Sequence, residues 1–222
     1  MKVLWVFAHP EPRSLNGSLR DFSIRTLEAA GHEVRQSDLY ALRWKAVADG
    51  ADFTDTEPGA RLTYAASSWR GFKDGTQTPD VAAEQAKIRW ADAVLIQFPL
   101  WWFGLPAILK GWVDRVFVAG RVYGGGRVYG TGVFRGKQAL LALTTGAPEE
   151  TYRKEGFNGD IAGILRPVHR GILQFVGFDV LAPQIVYGPV RMMAAQRELH
   201  LAAYVARLQG IADESPIDVG SY

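Results

Sequence analysis

The segment 97–117 reads QFPLWWFGLPAILKGWVDRVF, and it decides the fold. It begins as the end of an apolar strand predicted at 93–98, breaks at Pro99, and passes three adjacent aromatic residues before a helix predicted at 106–117. Two prolines and a glycine keep the intervening turn from being helical. In open α/β sheets, ligands bind beyond the carboxyl ends of the strands. The turn is therefore predicted to offer aromatic rings to a flat ligand, although aromatic residues also build ordinary cores.

The bulk composition narrows the class of protein. The chain has 222 residues, 48% of them hydrophobic, with a formal net charge of +2 and no cysteine. This length suits one domain with a sizeable core. The lack of cysteine excludes disulfides and thiolate chemistry, and no run of one charge indicates nucleic acid as a partner. The first apolar run is too short for a signal sequence and no stretch spans a bilayer, so we expect a cytoplasmic protein without a membrane span.

Apolar runs alternate with helical patterns along the chain, which indicates a doubly wound α/β domain. Strands are predicted at 2–8, 33–38, 93–98, 138–144 and 179–186. Helices are predicted at 15–30, 80–91, 106–117, roughly 160–176 and 192–209. Between them, 39–79 is predicted as a long irregular excursion with short helices, and 213–222 as a tail that lies on the surface or is disordered. Residues 1–222 are thus expected to form one flavodoxin-like domain, a five-stranded parallel sheet with helices on both faces, plus the excursion and a C-terminal helix.

The loop after the first strand, HPEPRSLN at 9–16, leads into a helix. A helix N-terminus presents free N–H groups and a partial positive charge, which favour phosphate. Arg13 can add a full charge, and Ser14 or Asn16 can supply hydrogen bonds. Ser14 and Asn16 are also ordinary N-cap residues, and the two roles are compatible.

Three further features have an ordinary and a functional interpretation. The glycine-rich segment 120–136 is either a flexible surface loop or a lid that presents Tyr123 and Tyr129, and it lacks the strand-before, helix-after context of a nucleotide fingerprint. The sequence TTG at 144–146 is either a plain strand end or a set of N–H groups aimed at an anionic edge of a ligand. The four histidines are scattered without ligand spacing, so no metal site is expected.

These motifs resemble those of the NAD(P)H:quinone oxidoreductases of the DT-diaphorase type, in the flavodoxin-like superfamily. The similarity extends from about residue 2 to residue 216. It rests on the motifs AHPEPRSLN (8–16), SDLYAL (37–42), TPDVAAEQ (78–85), QFPLWWFGLPAILKGWVDRVF (97–117), TTG (144–146) and GILQFVGFDVLAPQIVY (171–187). The resemblance implies a homodimer with the active site at its interface and one FAD per subunit, rather than FMN. It further implies two-electron hydride transfer from NADH or NADPH to a quinone-like acceptor.

The resemblance also implies roles for individual residues. Those matching flavin-binding positions are His9, Arg13, Leu15, Asn16, Leu100, Trp101, Trp102, Phe103, Thr144, Thr145, Gly146, Ala147, Tyr152 and Arg197. Those expected to act in catalysis, as donors to the charge that hydride transfer creates, are Tyr152, Asn158 and Gly146. Those expected to line the substrate pocket are Tyr123, Gly125, Tyr129 and Phe103, with Tyr123 contributed across the dimer.

The chain departs from the mammalian-type pattern at positions around the pocket. Asn158 stands in place of a histidine, and an amide cannot relay a proton near neutral pH. Gly125 stands in place of a second pocket tyrosine, which should open the acceptor site. Trp101 stands where a glutamine occurs, and Ala147 replaces the second glycine of the ring-edge loop. These changes are expected to affect acceptor preference more than flavin binding.

Two other functions are compatible with the fold. Relatives of this family serve as soluble regulatory subunits of potassium-efflux transporters, but they are shorter and lack the 39–79 excursion and the C-terminal helix. Flavodoxin-type electron carriers share the fold, but they are shorter and strongly acidic, whereas this chain is weakly basic.

Overall fold

The computed structural model describes residues 1–57, 59 and 61–220. Within them, six parallel strands form one sheet: β1 (Lys2–Phe7), β2 (Glu33–Asp38), β3 (Ala93–Pro99), β4 (Gln138–Thr145), β5 (Asp179–Val180) and β6 (Gln184–Tyr187). The helices are α1 (Leu15–Ala29), α2 (Tyr64–Asp74), α3 (Pro79–Trp90), α4 (Ala107–Val116), α5 (Ile161–Val168) and α6 (Ala194–Gln209). The strand order is β2-β1-β3-β4-β5, with β6 also paired to β4. This order is that of the flavodoxin-like doubly wound fold, as predicted.

The central strands are buried on both faces. In β1, Leu4 and Val6 belong to one hydrophobic core, whereas Val3, Trp5 and Phe7 belong to a second one. The same alternation runs through β3 and β4. Because successive side chains in a strand point to opposite faces, an uninterrupted apolar run needs cover on both sides of the sheet.

Helices supply that cover on both faces, which confirms the predicted layers. The face that carries Trp5 packs against α1 and α6, and the opposite face packs against α3, α4 and α5. The helical residues buried in these contacts include Leu27, Tyr204 and Leu208 on the first face, and Ile88, Leu109, Trp112 and Leu165 on the second. The carboxyl ends of β1, β3 and β4 meet at one edge of the sheet.

The prediction of one continuous fifth strand at 179–186 is wrong, because the structure has the two short strands β5 and β6 there. The N–H of Leu181 still donates to the carbonyl of Ala139 at 2.9 Å. Pro183 has no N–H to donate and holds Ala182 in an extended conformation, so the ladder breaks at these two residues. Both strands pair with β4, and together they occupy the fifth position of the sheet.

The helix predicted at roughly 160–176 is also not a single α-helix. The α-helical part, α5, ends at Val168, and the chain continues as a π-helix over His169–Gln174. Pro167 lies inside α5, where it lacks the N–H needed for an i to i−4 hydrogen bond. The wider turns begin two residues later, and such π segments occur often near functional sites.

The excursion 39–79 contains the 11-residue helix α2 and is attached to α4 by a buried ion network. Arg115 of α4 is 2% exposed, and its Nε donates to the Asp52 carboxylate at 3.0 Å while Nη1 donates to the carbonyl of Lys45 at 3.0 Å. The Tyr64 hydroxyl donates to the same carboxylate at 2.7 Å, and burial together with Asp52 raises the pKa of Tyr64. The excursion is therefore fixed to α4 and so to the helical layer formed by α3, α4 and α5.

Residues 213–220 of the predicted tail lie on the surface. The N–H of Ile217 donates to the carbonyl of Val180 at 2.8 Å, beside the edge of the sheet. Four residues of predicted segments, Pro58 and Ala60 in the excursion and Ser221 and Tyr222 in the tail, lie outside the described residues. No helix within the described part of the chain is both long and apolar enough to cross a bilayer.

Candidate active site

The candidate site is the edge of the sheet at which β1, β3 and β4 end. Phe7 pairs with Gln97, and Pro99 pairs with Thr144, so the three loops that follow these strands start side by side. The N–H of Leu100 donates to the Thr144 carbonyl at 2.8 Å. The loops predicted to bind the ligand are thus brought together.

Trp102 and Phe103 occupy a strained turn directly after β3. The N–H of Gly104 donates to the Trp101 carbonyl at 3.0 Å, and φ is 52° at Trp102 and 57° at Phe103. Positive φ at both central positions defines a type I′ turn, which glycine and asparagine favour. Bulky residues in this region cost about 1–3 kcal/mol each.

Burial does not offset this strain. Trp102 is 98% exposed, Phe103 is 51% exposed and Trp101 is 43% exposed. The alternative that all three rings are simply core therefore fails, most clearly for Trp102. Backbone strain combined with an exposed aromatic ring is typical of a ligand-binding position rather than a structural one.

A buried chain of hydrogen bonds fixes the spacing between the loops. Trp5 Nε1 donates to Gln97 Oε1 at 3.1 Å, Gln97 Nε2 donates to the Asn16 carbonyl at 2.7 Å, and Asn16 Nδ2 donates to Thr144 Oγ1 at 2.9 Å. Gln97 is 2% exposed and Asn16 is 5% exposed. These hydrogen bonds join β1, β3, the start of α1 and the end of β4.

Trp5 and Gln97 are site-positioning residues that sequence reasoning missed. The available signal was Gln97 itself, the single polar side chain in the apolar run predicted at 93–98. A polar side chain in a doubly buried strand requires a partner, so such a residue marks a built-in hydrogen-bond network.

The first loop is folded tightly onto the N-terminus of α1. Ser14 is the N-cap, and its Oγ accepts from the N–H of Gly17 at 3.2 Å while lying 3.0 Å from Nδ1 of His9. A Cβ at Gly17 would lie 1.8 Å from the carbonyl oxygen of Pro12, so the loop and the helix touch backbone to backbone. Within the described residues, the N–H groups of the first helical turn before Gly17 have no backbone acceptor, as is general at helix N-termini.

Arg13 does not point into the site in this structure. Its Nε pairs with Glu11 Oε1 at 2.9 Å, and the Arg13 side chain is 88% exposed. Hydrogen bonds from Arg13 lower the pKa of Glu11, so this carboxylate is charged at neutral pH. A phosphate at this loop would have to draw Arg13 away from Glu11.

The third loop presents an open backbone at its tip. The Thr145 hydroxyl donates to the Ala147 carbonyl at 2.8 Å, and the N–H of Gly188 donates to the Thr145 carbonyl at 3.1 Å. These bonds hold the loop while Gly146 between them is exposed. The N–H of Gly146 has no protein acceptor within the described residues and is available to a ligand.

Tyr152 and Asn158 are near each other in the chain but are not hydrogen-bonded to each other. Tyr152 is 7% exposed, and its ring packs on that of Tyr187 at a centroid distance of 5.9 Å. Asn158 Nδ2 donates to Thr151 Oγ1 at 2.9 Å, and the N–H of Asn158 donates to the Thr151 carbonyl at 2.8 Å. Asn158 therefore holds the loop in shape, and no Tyr152–Asn158 relay is assembled.

Arg197 lies in a narrow cleft between α1 and α6. Leu15, Val186 and Tyr204 line the same cleft, whose volume is about 20 Å³. Leu15 is also the first residue of α1, so the cleft starts beside the proposed phosphate loop. The structure thus brings Arg197 and Leu15, both predicted flavin-binding residues, into one cleft.

The predicted substrate-pocket residues other than Phe103 lie elsewhere. The rings of Tyr123 and Tyr129 both pack on Phe175, at centroid distances of 5.8 and 5.4 Å, and the N–H of Tyr129 donates to the Phe175 carbonyl at 2.8 Å. Gly125 lies between them, exposed, with φ of 62°. Within the described residues no ring contact joins these tyrosines to the 101–103 turn. One subunit alone does not assemble the predicted pocket.

The described residues contain no group of three histidine, aspartate or glutamate side chains placed to hold a metal ion. The groups that the candidate site does present are aromatic rings, backbone N–H groups and hydroxyls. Flat aromatic surface, an open helix N-terminus and exposed loop N–H groups suit a planar ligand with an anionic tail.

Comparison with known families agrees with this geometry. A family model of the flavodoxin-like fold matches residues 1–210. The chain belongs to this family. The human ribosyldihydronicotinamide dehydrogenase (quinone) is 43% identical over 217 residues, which are 97% of this chain and 94% of that relative. The rat NAD(P)H dehydrogenase (quinone) 1 is 40% identical over 217 residues, covering 97% of this chain and 79% of the relative. The chain is thus an oxidoreductase related to quinone-reducing enzymes.

Two solved structures are similar to this chain in fold and sequence. A Klebsiella pneumoniae protein described as a candidate quinone reductase is 47% identical, with a TM-score of 0.94 over 98% of this chain and 87% of that one. The general stress protein 14 of Treponema denticola, solved in complex with FMN, is 25% identical, with a TM-score of 0.63 over 94% of this chain and 99% of that one.

Proposed function

We propose that this protein is a flavin-dependent oxidoreductase that transfers hydride from a reduced nicotinamide to a quinone-like acceptor. The observation that carries the proposal is the type I′ turn of Trp102 and Phe103, in which two bulky residues keep a costly backbone geometry while one ring stays 98% exposed. A flat cofactor that packs on these side chains would compensate for both the strain and the exposure. When bound, a flavin supplies the hydride chemistry.

The residues around the turn fit the ring of such a cofactor. The exposed N–H of Gly146 and the hydroxyl of Tyr152 can donate hydrogen bonds where negative charge develops. The Thr145 hydroxyl donates to the Ala147 carbonyl, the Gly188 N–H donates to the Thr145 carbonyl, and the Tyr152 ring packs on Tyr187, so these donors are positioned before any ligand binds. Preorganised donors of this kind need no rearrangement at the moment of reaction.

The first loop fits the phosphate part of the cofactor. The first turn of α1 offers backbone N–H groups that the described residues leave open, together with the positive end of the helix dipole. The cleft that continues from Leu15 to Arg197 has a volume of about 20 Å³ and would have to widen to admit a second phosphate, to which Arg197 can add a positive charge. This placement of Arg197 supports FAD rather than FMN, although the Treponema relative was solved with FMN.

Proton transfer in this site depends on Tyr152. Asn158 donates to Thr151 and has no group that titrates near neutral pH. We propose that Tyr152 donates directly or through water, and that Asn158 only keeps the 151–158 loop in shape. Gly125 leaves open space at the position of a second pocket tyrosine, which favours larger acceptors.

The acceptor pocket is proposed to be completed by a second subunit. Tyr123 and Phe175 border an open groove of about 300 Å³ beside α4. In a homodimer, Tyr123 of the partner subunit would close the pocket over the 101–103 turn.

A cytoplasmic location, expected from the sequence, is likewise a proposal that cell fractionation tests.

Two assays test the function. Heating the purified yellow protein and running the released cofactor beside FAD and FMN standards identifies the flavin, and we expect FAD. Steady-state assays then compare NADH, NADPH and ribosyldihydronicotinamide as donors to benzoquinones and naphthoquinones. Ribosyldihydronicotinamide is included because the human relative that matches over nearly its full length is named for it. A colourless protein that gains no activity on flavin addition would contradict the proposal.

The same preparations separate the two alternatives. A one-electron carrier would accumulate a stable flavin semiquinone during photoreduction, whereas the proposed enzyme passes directly to the two-electron form. A transporter subunit would co-purify with a membrane transporter and retain its gating effect after Trp102→Asn.

A further inference from the structure

A second cavity lies apart from the strand ends, between α3, the end of α4 and the segment 121–134. Its volume is about 60 Å³. Five apolar side chains line most of it: Ile88, Val116, Val122, Val133 and Phe134. Gln85 also lines the cavity, and its Nε2 donates to the Val116 carbonyl at 3.4 Å. None of these residues belongs to the candidate active site.

Two arginines line the same apolar cavity without a counter-charge. Arg89 and Arg121 form no ion pair within the described residues, and no acidic residue lines the cavity. The Nη2 atom of Arg121 is buried and has no hydrogen-bond acceptor within the described part of the chain. Burial, followed by the nearby charge of Arg89, lowers the pKa of Arg121. A buried guanidinium N–H without an acceptor is rare in folded proteins and destabilising.

The Arg121 side chain is nevertheless held in place. Its guanidinium lies over the ring of Phe72 in α2, 4.7 Å from the ring centroid. This contact orients the group and leaves its in-plane N–H groups for an acceptor. The contact with Phe72 therefore keeps the Arg121 guanidinium at the cavity instead of leaving it free in solvent.

We propose that this cavity binds a small monocarboxylate with a short apolar tail. The carboxylate would accept from Arg121, with Arg89 adding charge at the exposed rim, and the tail would lie among the apolar side chains. A planar carboxylate matches the fork of a guanidinium. A phosphate would leave several charged oxygens against five apolar side chains, which the lining does not support. The proposal does not depend on the flavin assignment.

Methyl-resolved NMR of the full chain tests this site directly. Ile88, Val116, Val122 and Val133 each carry methyl groups that line the cavity. Pentanoate is expected to shift these methyl signals saturably, whereas pentan-1-ol, with a similar tail and no charge, is expected to leave them unchanged. Across acetate, propanoate, butanoate and pentanoate, each added methylene should tighten binding about fourfold while the tail still fits.

Three variants distinguish this site from general charge effects. Arg121→Met is expected to weaken pentanoate binding about tenfold or more, because it removes a charge-assisted hydrogen bond. Val133→Phe keeps both arginines but fills the cavity, and should also abolish binding. Arg135→Met is the matched control, because Arg135 is an exposed arginine next to Phe134 that does not line the cavity. The methyl spectra themselves show whether each variant is folded.

Several results would overturn the proposal. Pentanoate that causes no saturable shift, or shifts only methyl groups outside the cavity, shows that no such site exists. Equal shifts from pentan-1-ol show a purely apolar cavity. Equal weakening by Arg121→Met and Arg135→Met shows a general effect of charge.

Discussion

At the scale of single residues, the backbone geometry of the turn at 101–104 lowers the stability of the fold and presents an aromatic ring to a ligand. Trp102 adopts φ of 52° with its ring 98% exposed, so the folded protein gains no burial from a residue that strains its backbone. Strain of this kind is retained where a ligand uses it. The turn is a place where a more stable sequence is easily found.

Replacing Trp102 with asparagine tests this balance. Asparagine tolerates the left-handed region, so Trp102→Asn should raise the unfolding free energy of the cofactor-free protein by about 1 kcal/mol. Flavin affinity should fall, because the exposed ring is lost. Chemical denaturation and flavin titration measure the two effects. Phe157 is equally exposed but has no positive φ, so Phe157→Asn should give neither effect. A Trp102→Asn protein that is less stable contradicts the assignment of strain.

Gln97 carries a different kind of residue-scale consequence. Gln97→Leu would leave the Trp5 N–H and the Asn16 carbonyl without partners in a dry interior. We expect a loss of about 2–3 kcal/mol in unfolding free energy, together with weaker flavin binding as Asn16 and Thr144 lose their fixed spacing. Gln36→Leu on β2 is exposed and serves as the control, with a change within about 0.5 kcal/mol. Equal losses in both variants would show that Gln97 has no special role.

At the scale of elements, α4 is held by core packing and by buried polar contacts. Trp112 packs in the core, and Arg115, about one turn later on the same helix, binds the excursion through Asp52 and Lys45. The turn of Trp102 leads directly into this helix. Any loosening of α4 therefore reaches the candidate site through the chain itself.

Arg115→Met should cost about 3 kcal/mol, because it leaves the buried Asp52 carboxylate with fewer partners. Lys110→Met is the matched control on α4, since Lys110 forms an exposed pair with Asp114 whose loss should cost less than about 0.5 kcal/mol. Adding Asp52→Asn to Arg115→Met should recover part of the loss. Urea denaturation measures all three, and an Arg115→Met protein as stable as Lys110→Met would contradict the network's role.

The strands and loops also show which features of the fold the sequence patterns predict and which they miss. Continuous apolar runs predicted the central strands well, because burial on both faces imposes that pattern. The split of the fifth strand was missed, since Ala182 and Pro183 interrupt backbone pairing without interrupting hydrophobicity. The predicted strand order located the three ligand loops, but it did not predict the hydrogen-bond network around Gln97. Its partners, Trp5, Asn16 and Thr144, are far apart in the sequence and meet only in the folded sheet.

At the scale of the whole molecule, stability should depend on pH through His169. This residue is 4% exposed, and burial lowers its pKa from 6.5 to about 4. Between those two values the unfolded chain binds a proton that the folded chain does not, so stability falls as the pH drops through this window. Above pH 7 both states are neutral at this position, and His169 has no effect there.

The expected contribution of His169 is a loss of about 2 kcal/mol on going from about pH 7 to about pH 5. His169→Met should remove this loss, so the difference in unfolding free energy between variant and parent should grow in favour of the variant as the pH falls. His200 is exposed, and His200→Met should follow the parent curve. Parallel curves for His169→Met and the parent would show that His169 titrates normally in the fold.

The close approach of Gly17 to Pro12 has a practical consequence for protein engineering. A library that randomises residues 9–16 to change phosphate recognition can sample many side chains, but position 17 admits none. A Cβ there would lie 1.8 Å from the Pro12 oxygen, and the loop would have to leave the helix to make room. In a deep mutational scan, Gly17 would score like an active-site residue even though it presents no side chain to a ligand. Scan data alone would therefore misplace it among the binding residues.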